Sequence, residues 1–193
     1  MRVAVFAYAS LVDPASTAET LGREVEVAAP ARLEGWRRRW SVARDNLASE
    51  KCFARAGDGS VPRFCLGLNL EPAAPGDEAP NGALIEVTMA ELDRLDLREM
   101  RYLRVDVTDA ITELPPGIAR AFAYTARPER FAATPPDDAV IIASYRRAVE
   151  AAFDSLGPGQ LDLYRLSTGP PPVPVVDGVL VDDRIPEGNP RAW

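Results

Sequence analysis

Not one of the 193 residues is a histidine. That absence removes Ser-His-Asp and Cys-His catalytic arrangements, histidine-bearing zinc sites and the commonest near-neutral proton shuttle. An acid–base catalyst in this chain must be a Glu or Asp of raised pKa, a Lys, a Tyr or a Cys. Cysteine is scarce too: there are only Cys52 and Cys65, in keeping with a compartment where thiols stay reduced. They flank Asp58-Gly59 symmetrically, so a tight turn there would face them across a hairpin, as two buried thiols in preference to a disulfide.

Long apolar runs are missing as well. No stretch approaches the roughly 20 residues of a membrane span, and the N-terminal MRVAVFAYASL lacks the cleavage signature of a secretory signal. These absences predict a cytoplasmic protein with no membrane partner. Positive charge is in deficit, with 22 Lys plus Arg against 29 Asp plus Glu and a net charge of −7, a field that repels nucleic acid. The longest basic run, Arg37-Arg38-Arg39, alternates faces if it lies on a strand, as a solvated edge with ion pairs or as an anion clamp. No glycine-rich phosphate loop follows any strand, so a nucleotide finds no binding signature.

What remains is a globular composition, 47% hydrophobic and 26% charged, sufficient for one core and one domain over residues 1–193. RVAVFAY (2–8) reads as a buried strand ending at the Asp13-Pro14 turn signal, and PARLEGWRRRWSVA as a second strand. KCFARAGDGSVPRFCLGLNLEP reads as a hairpin, PAAPGDEAPN as an acidic loop, and GALIEV as a strand. Thr88 and Glu91 form a capping box that opens a helix over MAELDRLDLREM. RYLRVDVTDAI and ARAFAYTA add two strands. Residues 137–156 carry apolar side chains at helical spacing, ended by Gly157-Pro158-Gly159. The tail from residue 132 is helical and then proline-rich, with one short strand around Val179. Mostly strands with two late helices predicts an α+β fold with a mixed or antiparallel curved sheet.

Two places could carry chemistry. Glu99 lies seven residues, two helical turns, beyond Leu92 of the apolar stripe. Either the helix reaches it and its carboxylate faces the buried side with a raised pKa, or the helix stops near Leu97 and Glu99 pairs at the surface with Arg98, Arg101 and Arg104. Asp96 competes for the same face. The Tyr8-Ala9-Ser10-Leu11 corner either presents successive backbone N–H groups to an anion or is a plain strand end with Ser10 capping a turn. Tyr102, Tyr124, Trp36 and Trp40 read as core or rim aromatics.

Taken together, FAYASL, ARLEGWRRRW, LGLNLEP, NGALIEVTMAELDRLDLREMRYLRVDV and AFAYTARPERF resemble, in order, the blocks of the γ-glutamylcyclotransferase-like family, with its AIG2-like and ChaC-type members. The resemblance spans residues 3 to about 131. It implies a small mixed β-barrel flanked by helices, with a substrate cavity at one end and residues 132–193 as an extension. The implied reaction is attack of an α-amine on the γ-carbonyl of a γ-glutamyl compound, giving 5-oxoproline and a free amine, with no metal or organic cofactor. It also implies Glu99 as the general acid/base and Tyr8, Ala9, Ser10, Leu11 and Tyr124 as substrate-binding residues. Ala9 replaces the family's glycine, and a left-handed backbone there would strain alanine by roughly 1–2 kcal/mol. That departure keeps open a second reading, a non-catalytic module that holds a small carboxylate-bearing metabolite.

Overall fold

A computed structural model describes residues 2–27, 29–185 and 189–190. Strand β1 (Arg2–Ala7) is buried along nearly its whole length because both of its neighbours are strands and both faces are covered. Asp13 then caps helix α1 (Pro14–Leu21), its Oδ1 accepting from Ala15 N at 3.0 Å with Pro14 at the first helical position, and Gly22 at φ 71° closes it. The Asp13-Pro14 pair is therefore a helix start and not merely a turn.

The segment from Pro30 is two strands and not one. β2 (Ala29–Arg32) and β3 (Trp36–Asp45) belong to different sheets, and Gly35 at φ 76° turns the chain between them. β4 (Lys51–Arg55) and β5 (Phe64–Pro72) follow, but they do not pair with each other, so the expected hairpin is absent. β5 instead pairs antiparallel with β3 through a bulge between Trp40 and Val42. β4 pairs antiparallel with β11 (Gly178–Asp183), with Phe53 opposite Leu180 from the far end of the chain. Both cysteines are free and buried.

After β6 (Asn81–Val87) the capping box forms as expected: Glu91 N donates to Thr88 Oγ1 at 3.2 Å, and Thr88 N donates to Glu91 Oε2 at 2.7 Å. It opens α2 (Met89–Arg98), whose Leu92 and Leu95 are buried. β7 (Tyr102–Asp106) and β8 (Ile118–Ala126) complete a five-stranded sheet of order β2-β6-β1-β8-β7, in which β1 runs antiparallel to β6 and parallel to β8. The periodic segment from Asp137 divides: Ala139–Ile142 is strand β9, and only Ala143–Leu156 is helix α3. Its Val-Ile-Ile run suits a pleated, fully buried strand. A further helix, α4 (Gln160–Thr168), and the short β10 (Val175–Val176) follow, so the second sheet has the order β10-β9-β5-β3.

The architecture is thus mixed α+β. Among the described residues the strand pairings give two sheets and a two-stranded ribbon, and none of them closes a barrel. One core fills the space between the sheets, with Val3, Val5 and Ile85 from the first and Trp40, Leu68 and Leu70 from the second. Cross-links tie the sheets at one end, where Tyr102 Oη donates to Leu68 O at 3.0 Å and Ala126 N to Asn69 Oδ1 at 2.7 Å. None of the described helices is long and apolar enough to cross a membrane.

The basic run resolves into three different environments. Arg37 pairs with Glu71 and Asp77, each at 3.1 Å, and Arg39 is exposed. Arg38 is 1% exposed, and no carboxylate pairs with it among the described residues. Its guanidinium donates, each at 2.9 Å, to Tyr8 O, Asn81 O, Asn81 Oδ1, Ser167 Oγ and Thr168 Oγ1. The rings of Phe153 and Tyr164 lie 4.8 and 4.5 Å from its central carbon. Burial pulls its pKa down, while the neutral acceptors and the ring faces compensate the charge. Arg38→Met should keep the bulk but leave the Tyr8 and Asn81 carbonyls without a donor, lowering unfolding free energy by about 2–4 kcal/mol in urea titration. An unchanged midpoint would show that this buried charge carries no structural weight.

Candidate active site

Helix α2 ends where the chemistry was expected. Glu99 is its C-cap at φ −89° and ψ 38°, with its N–H donating to Leu95 O and its carbonyl accepting from Tyr102 N, both at 2.8 Å. The helix therefore reaches Glu99, and the side chain, 12% exposed, is turned inward. Both sequence alternatives contribute, because Glu99 also pairs with Arg98: Oε1 lies 3.2 Å from Arg98 Nε, in a sheltered position and not at the surface. Arg98 is itself anchored on α1, donating to Ser16 O and Ser16 Oγ at 2.7 Å and to Thr20 Oγ1 at 2.5 Å. One carboxylate oxygen of Glu99 is thereby held by a cation fixed on a neighbouring helix.

The corner after β1 winds into a short 3-10 turn over Ser10–Val12. Val12 N donates to Ala9 O at 3.0 Å, and Thr17 Oγ1 donates to Leu11 O at 2.8 Å, so α1 braces the turn. Ala9 sits at φ −141° and ψ −132°. Its φ is negative, so the alanine carries none of the left-handed strain that the missing glycine suggested. Tyr8 is buried; its hydroxyl donates to Tyr124 O at 2.6 Å, and its carbonyl accepts from Arg38. Desolvation holds the Tyr8 phenol well above its ordinary pKa, with Tyr102 and Glu99 adding to the effect, so it stays protonated.

Ser10 and Glu99 face one cavity of about 330 Å³. Arg98, Arg101 and Tyr102 continue the wall on their side. Opposite elements supply Arg44 of β3, Lys51 and Phe53 of β4, and Cys65 of β5. Tyr145 of α3 adds an aromatic surface, its ring packed edge-on against Trp40 with centroids 6.0 Å apart. Arg101 pairs with Glu50, and Lys51 Nζ lies 3.9 Å from Asp183 Oδ2. Four cations, Arg44, Lys51, Arg98 and Arg101, line the cavity against two carboxylates, Glu50 and Glu99. In a chain of net charge −7 this is a local reversal of sign, and it suits an anionic ligand.

Of the residues singled out by sequence, Ser10 and Glu99 line this cavity together. Tyr8, Ala9 and Leu11 lie behind it as support. Tyr124 does not line it either: its hydroxyl donates to Asp96 Oδ1 at 2.8 Å, and burial together with that carboxylate raises its pKa. Asp96 is engaged there and with Arg104 at 3.2 Å, away from the cavity. None of Arg37, Arg38 and Arg39 lines the cavity, so the basic run is no anion clamp for it. The acidic loop stays apart too, with Asp77 on Arg37 and Glu78 on Arg32. Arg44 and Lys51 escaped the sequence reading, although Lys51 is the only lysine in the chain.

No protein-family model matches the sequence, and no curated protein matches it significantly. Solved structures do. A γ-glutamyl cyclotransferase superposes with a TM-score of 0.60 at 13% identity, over 91% of this chain and 94% of that one. An uncharacterized protein from Homo sapiens gives 0.58 at 14% identity, over 87% and 89%. YkqA from Bacillus subtilis gives 0.52 at 15% identity, over 87% of this chain and 56% of that one. The chain therefore has the γ-glutamyl cyclotransferase-like fold.

Because Ala9 sits at negative φ, Ala9→Gly should relieve no left-handed strain and add only unfolded-state entropy. Urea unfolding should show a loss of about 0.4–1 kcal/mol. A gain in stability would mean that the corner needs a left-handed residue after all.

Proposed function

We propose that the protein is a γ-glutamyl cyclotransferase acting on a small γ-glutamyl compound, without a metal or organic cofactor. The observation that carries this reading is that Glu99 and the Ser10 corner, on separate elements, face the same cationic cavity. The fold likeness agrees with it.

Cyclisation asks little of a protein beyond folding the substrate, since nucleophile and electrophile share one molecule. Holding the α-amine against the γ-carbonyl can supply about 7–11 kcal/mol of the barrier. Glu99 takes a proton from the α-ammonium, and the freed amine attacks the γ-carbonyl carbon. Backbone N–H groups of the corner and the Ser10 hydroxyl receive the developing oxyanion. The intermediate collapses as the bond from the γ-carbon to the leaving nitrogen breaks: Glu99 returns its proton to that nitrogen, then removes the surplus proton from the new ring nitrogen and passes it to the released amine, which departs as an ammonium. The products are 5-oxoproline and the free amine. Arg98 keeps Glu99 aimed through one oxygen, while Arg38 and the Tyr8–Tyr124 bond keep the corner in place.

A non-catalytic metabolite binder loses its main support, because Ala9 is not at the positive φ that would call for the glycine. Incubation with γ-glutamyl compounds should yield 5-oxoproline detectable by mass spectrometry. Glu99→Gln, nearly isosteric but unable to accept a proton, should reduce turnover by about 100-fold or more with an unchanged circular dichroism spectrum. Wild-type rates in that variant would remove Glu99 from the mechanism, and no product from the folded wild type would leave the cavity as a binding site only.

A further inference from the structure

Three of the four cations around the cavity already have carboxylate neighbours: Arg98 has Glu99, Arg101 has Glu50, and Lys51 has Asp183. Arg44 differs. Among the described residues it makes no ion pair, and its guanidinium donates to neutral acceptors, Lys51 O at 2.9 Å and Asn46 Oδ1 at 3.3 Å, with the buried Cys65 thiol as a further neutral partner. A guanidinium has five N–H donors, which these acceptors do not exhaust. Its central carbon lies 5.2 Å from the centre of the Phe53 ring, which sets the plane of the fork before any ligand arrives. A half-buried, preorganised arginine with neutral partners is a receptor for a carboxylate.

Resting on the cyclotransferase reading above, we infer that Arg44 binds a carboxylate on the leaving amine, so that the substrates are γ-glutamyl amino acids or peptides and not γ-glutamyl alkylamines. The direction follows from the placement of the walls. Glu99 and Ser10 come from α2 and the end of β1, on the side of the five-stranded sheet, whereas Arg44 comes from β3 in the other sheet. The substrate's α-carboxylate shares a carbon with the attacking amine and stays near Glu99. The substituent on the leaving nitrogen points away from that carbon, toward the wall that holds Arg44, with Phe53 beside it. A cavity of about 330 Å³ is at the small end of the range for ligand pockets, which favours a dipeptide-sized substrate.

γ-Glutamylalanine and γ-glutamylethylamine differ only in the carboxylate of the leaving group. The wild type should favour the first in kcat/KM by about tenfold or more, Arg44→Lys should keep part of that preference, and Arg44→Gln should bring the ratio close to one. Equal use of both compounds by the wild type would overturn the assignment and leave the cyclotransferase reading intact. So would an equal loss for both in Arg44→Gln, which would place Arg44 on the glutamyl half. If neither compound gives 5-oxoproline, that reading fails, and calorimetry with the same two compounds decides Arg44 separately: tighter binding of γ-glutamylalanine that is lost in the variant supports it, and equal or absent binding overturns it. Should Arg44→Gln fail to fold, the wild-type ratio and Arg44→Lys carry the test.

Discussion

Arg38 is a full charge enclosed without a carboxylate partner among the described residues, and most of what positions the site passes through it. Its five hydrogen bonds reach the end of β1 at Tyr8, the start of β6 at Asn81 and the last turn of α4 at Ser167 and Thr168. These elements lie far apart in the chain. Only a long side chain with several fixed donors can satisfy so many acceptors at once. The aromatic faces of Phe153 and Tyr164 complete the enclosure, which requires α3 and α4 to be packed before the charge is sheltered. The corner carrying Ser10 is thus coupled to the C-terminal helices, although neither helix supplies its residues.

A second chain of contacts fixes the other half of the site. α1 anchors Arg98, Arg98 holds one oxygen of Glu99, and the carbonyl of Glu99 turns the chain into β7. The Glu99 carboxylate is thereby held through one oxygen, in a sheltered position. The two chains converge on a cavity whose charge is opposite to that of the molecule as a whole.

Local signals made some of this legible. β1, β6, the capping box of α2 and the two strands after it are each specified by residues adjacent in sequence, while the helical spacing from Leu92 made an inward Glu99 one of two outcomes. Errors arose where a local signal had two physical outcomes. Asp13-Pro14 starts a helix as readily as it makes a turn. The apolar run at Val140-Ile141-Ile142 satisfies a helical period but belongs to a strand, because β5 and β10 wait on either side of it. The Asp58-Gly59 turn suggested a hairpin, yet β4 and β5 have better partners in β11 and β3. The cationic wall was invisible for the same reason: Arg44, Lys51 and Cys65 meet only after those distant pairings form. Arg38, within an exposed-looking basic run, gave no sign of burial.

The central claim is that the cavity between Glu99 and the Ser10 corner holds the reacting γ-glutamyl group. A crystal structure of the Glu99→Gln protein with γ-glutamylalanine bound tests it most directly. The account places the α-amine within about 2.6–3.2 Å of the residue 99 side chain and the γ-carbonyl oxygen toward the backbone N–H groups around Ser10. A ligand seated elsewhere on the protein, or an empty cavity at saturating ligand, would contradict it.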